Sequence, residues 1–549
     1  LRNRLVTFGF AAALTLTATA TLCPSQVVSD SNREVVGALP DTVELVVGAT
    51  DLASLRARPQ TRALERFLND ASDWSRTTAA WTDLARKLDM SFEESIHTLL
   101  GRGAVIASES PSVEGTSPSF AVLSSIKAAV RRDLTRRLET VPRSVICDAT
   151  IMSLEQGAYH VATRSLTSPA PDQSQLILSS DASLFGRVVQ SMSGRAGTAT
   201  LSQLPEWTQI APLADSDLFL LARRLPAPDK PGTYLALAGT PTPLGWTARF
   251  SASDSVMDDG VADVRSTAAW PSEAVDQLEA GASLLVAGSP HAAIGKPPTL
   301  MAGLLAMMNL PPDLRSQLDG AAIISLSLPR APHTGTSLIV ALPLRDIPSG
   351  VDIADAWVQS IAGVDPLAPE FGVTITDGVR ETSITPDNPA IINGFVRSEG
   401  RMAWCYAAAG GIIQEKATPG WVVVALRFGT GEDPLAMVRR TASLLAHDEG
   451  KDKQTLFRLI VEPRQLSAWL AANPSKAPAA PAALAAGETG LAVSQPAMRW
   501  LNRVDSRIVR EAPGYVEGAV TLELNLALLE VSAATPATNK DQPTSPERQ

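Results

Sequence analysis

Leu39-Pro40-Asp41-Thr42-Val43-Glu44-Leu45-Val46-Val47-Gly48 opens the first ordered block of the chain, and Leu284-Leu285-Val286-Ala287-Gly288 opens a second. Each contains a short aliphatic run that stops at glycine, as a strand buried in a sheet does. After the first run, Pro59 starts a helix that sets Ala63, Leu64, Phe67, Leu68 and Ala71 on one face. Trp74, Trp81, Leu84, Ala85 and Leu88 predict a second helix. A third starts at Ser91, where Ser91 and Glu94 form a capping box, and a strand at 104–107 follows. After the second run, Pro297 and Pro298 open a helix that reaches Met308, Pro311 and Pro312 open a short one with Leu314 and Leu318, and 321–328 reads as strand.

The order continues in parallel. Strand 120–126 and helix 127–139 match strand 337–344 and helix 351–361, while strand 176–180 and helix 182–192 match strand 422–428 and helix 433–446. Strands 218–222 and 456–461 come next, and 245–250 finds its echo in 518–526. Aligning Gly48 with Gly288 places Leu45 on Leu285, and the repeating unit is roughly 240 residues long. Helices come in groups, and short Pro/Gly loops join many strands. The expected fold class is therefore α+β, two related halves, each with a largely antiparallel sheet packed by grouped helices, in preference to a doubly wound parallel sheet.

The ends read differently. Leu1-Arg2-Asn3-Arg4 precedes an uncharged apolar run at 5–22 with small residues Ala18 and Ala20, the pattern of a signal peptide over 1–20. A retained N-terminal membrane anchor is the alternative, although the run is of marginal length for a span. Residues 21–36 are expected to be loose, 37–268 and 269–531 to be the first and second repeats, 472–490 a Pro/Ala-rich loop, and 532–549 a disordered tail. The expected location is the periplasm or cell envelope of a bacterium.

The stretch 39–48, then Asp51-Leu52 and the Pro-initiated helix, then Leu88-Asp89-Met90-Ser91-Phe92-Glu93-Glu94 before Leu99-Leu100-Gly101, resembles a family of exported bacterial proteins known only as a domain of unknown function. The resemblance covers the first block well and the remainder loosely. It implies an envelope setting and a duplicated α+β unit, and no catalytic or ligand residues, because the shared motif consists of turn, strand and cap residues.

Composition narrows the chemistry. With 549 residues, 45% hydrophobic, 19% charged and a mean hydropathy of +0.07, the chain folds. Its net charge of -10 and pI near 5.2 oppose phosphate neutralisation, so nucleic acid is not an expected partner. Three cysteines are too few for a disulfide framework. Cys23 lacks the context of a lipidation site, and Cys147 and Cys405 lie in strand-like runs as small core residues, with a bridge between them as the alternative. Ser124-Ser125-Ile126-Lys127 has the Ser-x-x-Lys spacing of serine β-lactamases and penicillin-binding proteins, but chance supplies such a spacing and their later motifs are absent. The plain reading is a strand ending near Ser124 and an exposed helix starting at Lys127.

His97, His160, His291, His333 and His447 stand in no catalytic context, and no zinc, calcium or nucleotide motif is present. Asp254, Asp258 and Asp259 fit a solvated hairpin turn. The segment Met301 to Met308 suits a core helix or, alternatively, a groove for an apolar ligand. No catalytic, cofactor-binding or metal-binding residue is assigned. The expected function is that of a non-enzymatic envelope protein acting by binding or as a structural module, with an envelope protein or polymer as partner; carriage of a lipid-like ligand is the alternative, followed by a hydrolase with an unrecognised site.

Overall fold

The computed structural model describes residues between 32 and 529, with the longer breaks at 72–81, 110–118, 155–158, 166–172, 194–198, 227–231, 254–269, 290–300, 330–334, 345–356, 358–373, 383–390, 448–454 and 473–498, and shorter ones of one to three residues. Outside the described residues lie the leader 1–20, positions 21–31, Cys23, Cys147, His291, His333, the three aspartates at 254–259, most of the 472–490 loop and the tail 532–549.

Ten strands come from the N-terminal side: β1 (Leu45–Ala49), β2 (Arg102–Glu109), β3 (Ser119–Lys127), β4 (Arg143–Ile146), β5 (Ala149–Leu154), β6 (Tyr159–Ser165), β7 (Gln173–Ser179), β8 (Leu218–Arg224), β9 (Thr233–Thr242) and β10 (Gly245–Ser253). In space they run β4-β5-β6-β7-β3-β2-β1-β8-β9-β10. The C-terminal side supplies β11 (Leu284–Gly288), β12 (Ala322–Ser327), β13 (Thr336–Leu344), β14 (Thr374–Ile375), β15 (Val379–Thr382), β16 (Ile391–Gly394), β17 (Arg397–Glu399), β18 (Met402–Ile413), β19 (Lys416–Phe428), β20 (Thr455–Val461), β21 (Leu501–Ala512) and β22 (Tyr515–Leu524). Apart from the β15-β16 ribbon, these run β22-β21-β20-β11-β12-β13-β19-β18-β17-β14. β10 pairs with β22 from Gly245–Glu523 to Ser253–Tyr515, which joins both runs into one 20-stranded sheet in which every described pairing is antiparallel.

Helices cover both faces. On the front face, α2 (Leu52–Ala57), α3 (Pro59–Ala71), α4 (Phe92–Leu99) and α5 (Ala128–Arg137) bury Leu52, Leu55, Leu64, Ile96, Leu99 and Leu134. Toward the other end of the same face lie Met301, Leu304 and Leu305, with Leu314 of α9 (Pro312–Gln317) and Leu466 of α11 (Pro463–Ala472). The back face carries α1 (Asn32–Gly37), α6 (Ala182–Met192) and α7 (Trp207–Ala214), then α8 (Ser272–Glu279) and α10 (Pro434–His447). Local chemistry starts these helices: Asp51 accepts the Ser54 N–H at 2.9 Å, Asp181 that of Leu184 at 2.7 Å, and Ser91 that of Glu94 at 3.1 Å. The Glu94 carboxylate lies 3.7 Å from Arg137, a partner from α5 that the expected capping box did not include.

The observed class is α+β with a large antiparallel sheet. Two sequence expectations need correction. Residues 32–36 are not loose: they form α1, because Val36 and Leu39, both fully buried, join the back-face core and the helix packs on α7, β1 and β2. The alignment of Leu45 with Leu285 sets together residues that lie on opposite faces of the sheet. Following directly opposed pairs across the sheet puts Leu45 and Leu284 on the front face, whereas Leu285 packs on the back face with Ala287 and Ile323. Side chains alternate along a strand, so a one-residue shift exchanges the faces.

Candidate functional site

β1 and β11 are buried at every position, but the strands at the middle of the sheet are not. Along β22, only Val516 and Leu524 are buried and the residues between them are half-exposed. β10 alternates Trp246, Ala248, Phe250 and Ala252 on the front face with Thr247, Arg249, Ser251 and Ser253 on the back, so the two sides of the seam differ chemically.

On the front, an apolar cavity of about 180 Å³ lies between α3 and the seam, lined by Leu64, Leu218, Leu237, Trp246, Val520 and Leu522, among others. Its floor is buried, and Leu237, Ala248, Val520 and Leu522 at its rim are half-exposed. Trp246 lies over Gly239, where its Cζ3 is 3.3 Å from the place a Cβ would occupy, and its indole N–H is buried without a hydrogen-bond partner.

On the back, charge replaces the apolar surface. Arg458 of β20 donates to Glu279 at the end of α8 at 2.6 Å and to Asp505 of β21. Burial alone lowers the pKa of Arg458, but the hydrogen bonds and charges of these two carboxylates outweigh it and hold the group above its ordinary value. Arg503 lies 3.8 Å from Glu279 and Glu462 and 3.9 Å from Asp505. Next to this network, Thr247 and Thr521 share a hydrogen bond at 3.2 Å across the seam, Arg249 and Arg507 are exposed, and Glu517, Ala519 and Glu523 are half-exposed. The strip is a mixed-charge surface on strand backbone, rigid because both neighbouring strands are hydrogen-bonded.

The residues singled out in the sequence fall elsewhere. Ser124 and Lys127 both belong to β3, three positions apart, and so lie on opposite faces: Ser124 is buried beside the front-face core and Lys127 is exposed. They form no dyad. His97 is exposed on α4, His160 in β6 lies 5.9 Å from the Phe185 ring, and His447 ends α10. Cys405 pairs with Ala425 in the β18-β19 ladder. Met301, Leu304 and Leu305 are core, and Met308 accepts the Trp357 indole N–H at 3.1 Å. Among the described residues, no group of three or more His, Cys, Asp or Glu could hold a metal ion, and no helix is long and apolar enough to cross a membrane.

Sequence reasoning missed both faces of the seam. The period-2 alternation of 246–253 and 515–523 was the available signal, but it does not reveal that those two strands are neighbours. Comparison with known protein families, with curated proteins and with solved structures finds no match for this chain, so its function is read from the geometry of the central strands.

Proposed function

We propose that the protein is an exported bacterial envelope protein that acts by binding, without an enzyme site, and that an envelope protein or polymer meets the charged back face of β10, β22 and β21. One observation carries this reading: the middle of a sheet covered on both faces elsewhere presents one patch of three paired strands in which Arg249 and Arg507 are exposed and Thr521 and Glu523 half-exposed. Scaffold strands in that position would be apolar on both faces, as β1 and β11 are. Export is supported by the leader pattern at 1–20. A lipid carrier finds less support, since the seam cavity is smaller than the roughly 300–1,000 Å³ of ordinary ligand sites and the described residues of the Met-rich segment lie in the core.

We also infer that the two halves are copies of one unit. The strand order is palindromic about the β10–β22 seam, and the registers support a local two-fold axis at the Arg249–Ala519 pair. An offset of 239 carries Leu45–Ala49 onto Leu284–Gly288, and one of 270 carries Ala248 and Phe250 onto Gly518 and Val520.

A photo-cross-linking residue at Ala519, in protein expressed in its own host, tests the surface. The expected result is one discrete adduct in the envelope fraction, absent when the same group replaces Leu244, which is 62% exposed in the β9–β10 turn. No adduct at 519, or the same adducts at both positions, overturns the proposal.

A further inference from the structure

The seam cavity has a counterpart under the two-fold register, and the two are filled differently. Across the front face, Ala49, Leu218, Gly239, Ala248, Val520, Ser506, Leu459 and Val286 form one cross-strand row. The row related to it by the axis reads Gly288, Phe457, Ile508, Gly518, Phe250, Leu237, Leu220 and Val47. Leu218 and Val520 at the cavity therefore correspond to Phe457 and Phe250. Those two rings lie against glycines: Phe457 Cδ2 is 2.9 Å from the place of a Cβ on Gly288, and a Cβ on Gly518 would collide with the Phe250 ring. Phe250 and Ile508 are buried together in a small cluster with Val516 and Leu456, with Phe457 packed against it. Where one side of the axis holds phenyl rings of the chain itself, the other has shorter side chains and about 180 Å³ of apolar space with a half-exposed rim.

We propose that the seam cavity is a binding site for a small apolar molecule of about one aromatic ring. A dry cavity of roughly 150 Å³ lined by aliphatic and aromatic side chains is enough for benzene. The side chains named at the wall are apolar, so the ligand needs no charge, and the volume excludes a long acyl chain. Because Val520 and Leu522 come from β22 while Leu218, Leu237 and Trp246 come from β8, β9 and β10, an occupant touches strands from both ends of the chain and ties the seam together. The inference rests on the duplicated register.

Toluene is the probe, titrated into the full-length protein by calorimetry and by ligand-observed NMR. The expected result is saturable binding of one toluene per chain, with a rise of about 2 °C in the unfolding midpoint at saturation. Val520→Phe, which places the counterpart's residue at the cavity, abolishes the binding, and Ala248→Leu does the same from the neighbouring strand if the first variant folds poorly. Absence of saturable binding, or more than one equivalent per chain, overturns the site. Binding that persists in both folded variants overturns its location. Neither result bears on the back-face partner, which cross-linking at Ala519 tests independently.

Discussion

Asp217, in the turn between α7 and β8, has a half-buried carboxyl group. Burial pushes its pKa above the ordinary value of 3.8; Arg58 opposes the shift and the negative Asp51 adds to it. The native state therefore holds its proton to higher pH than the unfolded chain does, and stability falls as pH rises through the raised native pKa. Asp217→Asn removes that penalty. It should raise the urea midpoint at neutral pH, and the gain should shrink toward zero as pH falls toward 3.8; a lower midpoint at pH 7 would contradict the assignment. Legibility at this scale follows sequence distance. The caps Ser91, Asp51 and Asp181 act on amides three residues away and can be read from a few letters. Arg223 cannot: its guanidinium donates to the Asp41 and Val43 carbonyls at 2.8 and 3.1 Å and meets Glu206 at 3.4 Å, so most of its surroundings lie about 180 residues away.

At the scale of strands, the pairing of aromatic rings with glycines sets how closely the sheet packs. Gly288 and Phe457 are directly opposed on β11 and β20, and the ring occupies the space a methyl group would need. Gly288→Ala should cost about 1–3 kcal/mol. Phe457→Leu should recover much of that, so a double-mutant cycle in denaturant should show coupling of at least about 0.5 kcal/mol; additive single effects would rule out the contact as the cause. Most strand positions were legible from aliphatic runs, as 43–48, 218–222 and 284–288 illustrate. The face each strand residue takes was not, because Gly48 and Gly288 look alike as strand ends while a strand's faces exchange with each residue. α1 was missed because six residues containing only two valines become a helix through packing on α7, β1 and β2.

For the whole molecule, each half has buried clusters of its own, but the core at the seam is shared. Trp246 of β10 shares a cluster with Trp500, Leu501 and Leu524 from the far end of the chain, and Leu526, Leu528 and Leu529 pack against it. A protein ending near residue 268 would lose these contacts and leave β10 as an open apolar edge. It should aggregate or unfold without a cooperative transition, while the full chain melts as one unit; a soluble, cooperative fragment would show that the C-terminal contacts are dispensable. The α+β class was readable because grouped helices and short strand loops are local signals. The shared core was not, since no local pattern tells β10 that its neighbour is β22.

That seam also imposes a timetable. Arg249 meets Ala519 across 270 residues, and at about 5–20 residues per second a ribosome needs on the order of 10–50 s to pass from one to the other. During that interval β10 has no partner on its outer side. Completion of the sheet around β10 therefore waits until nearly the whole chain has been made, and for that time the outer edge of β10 stays open to pairing with other strands.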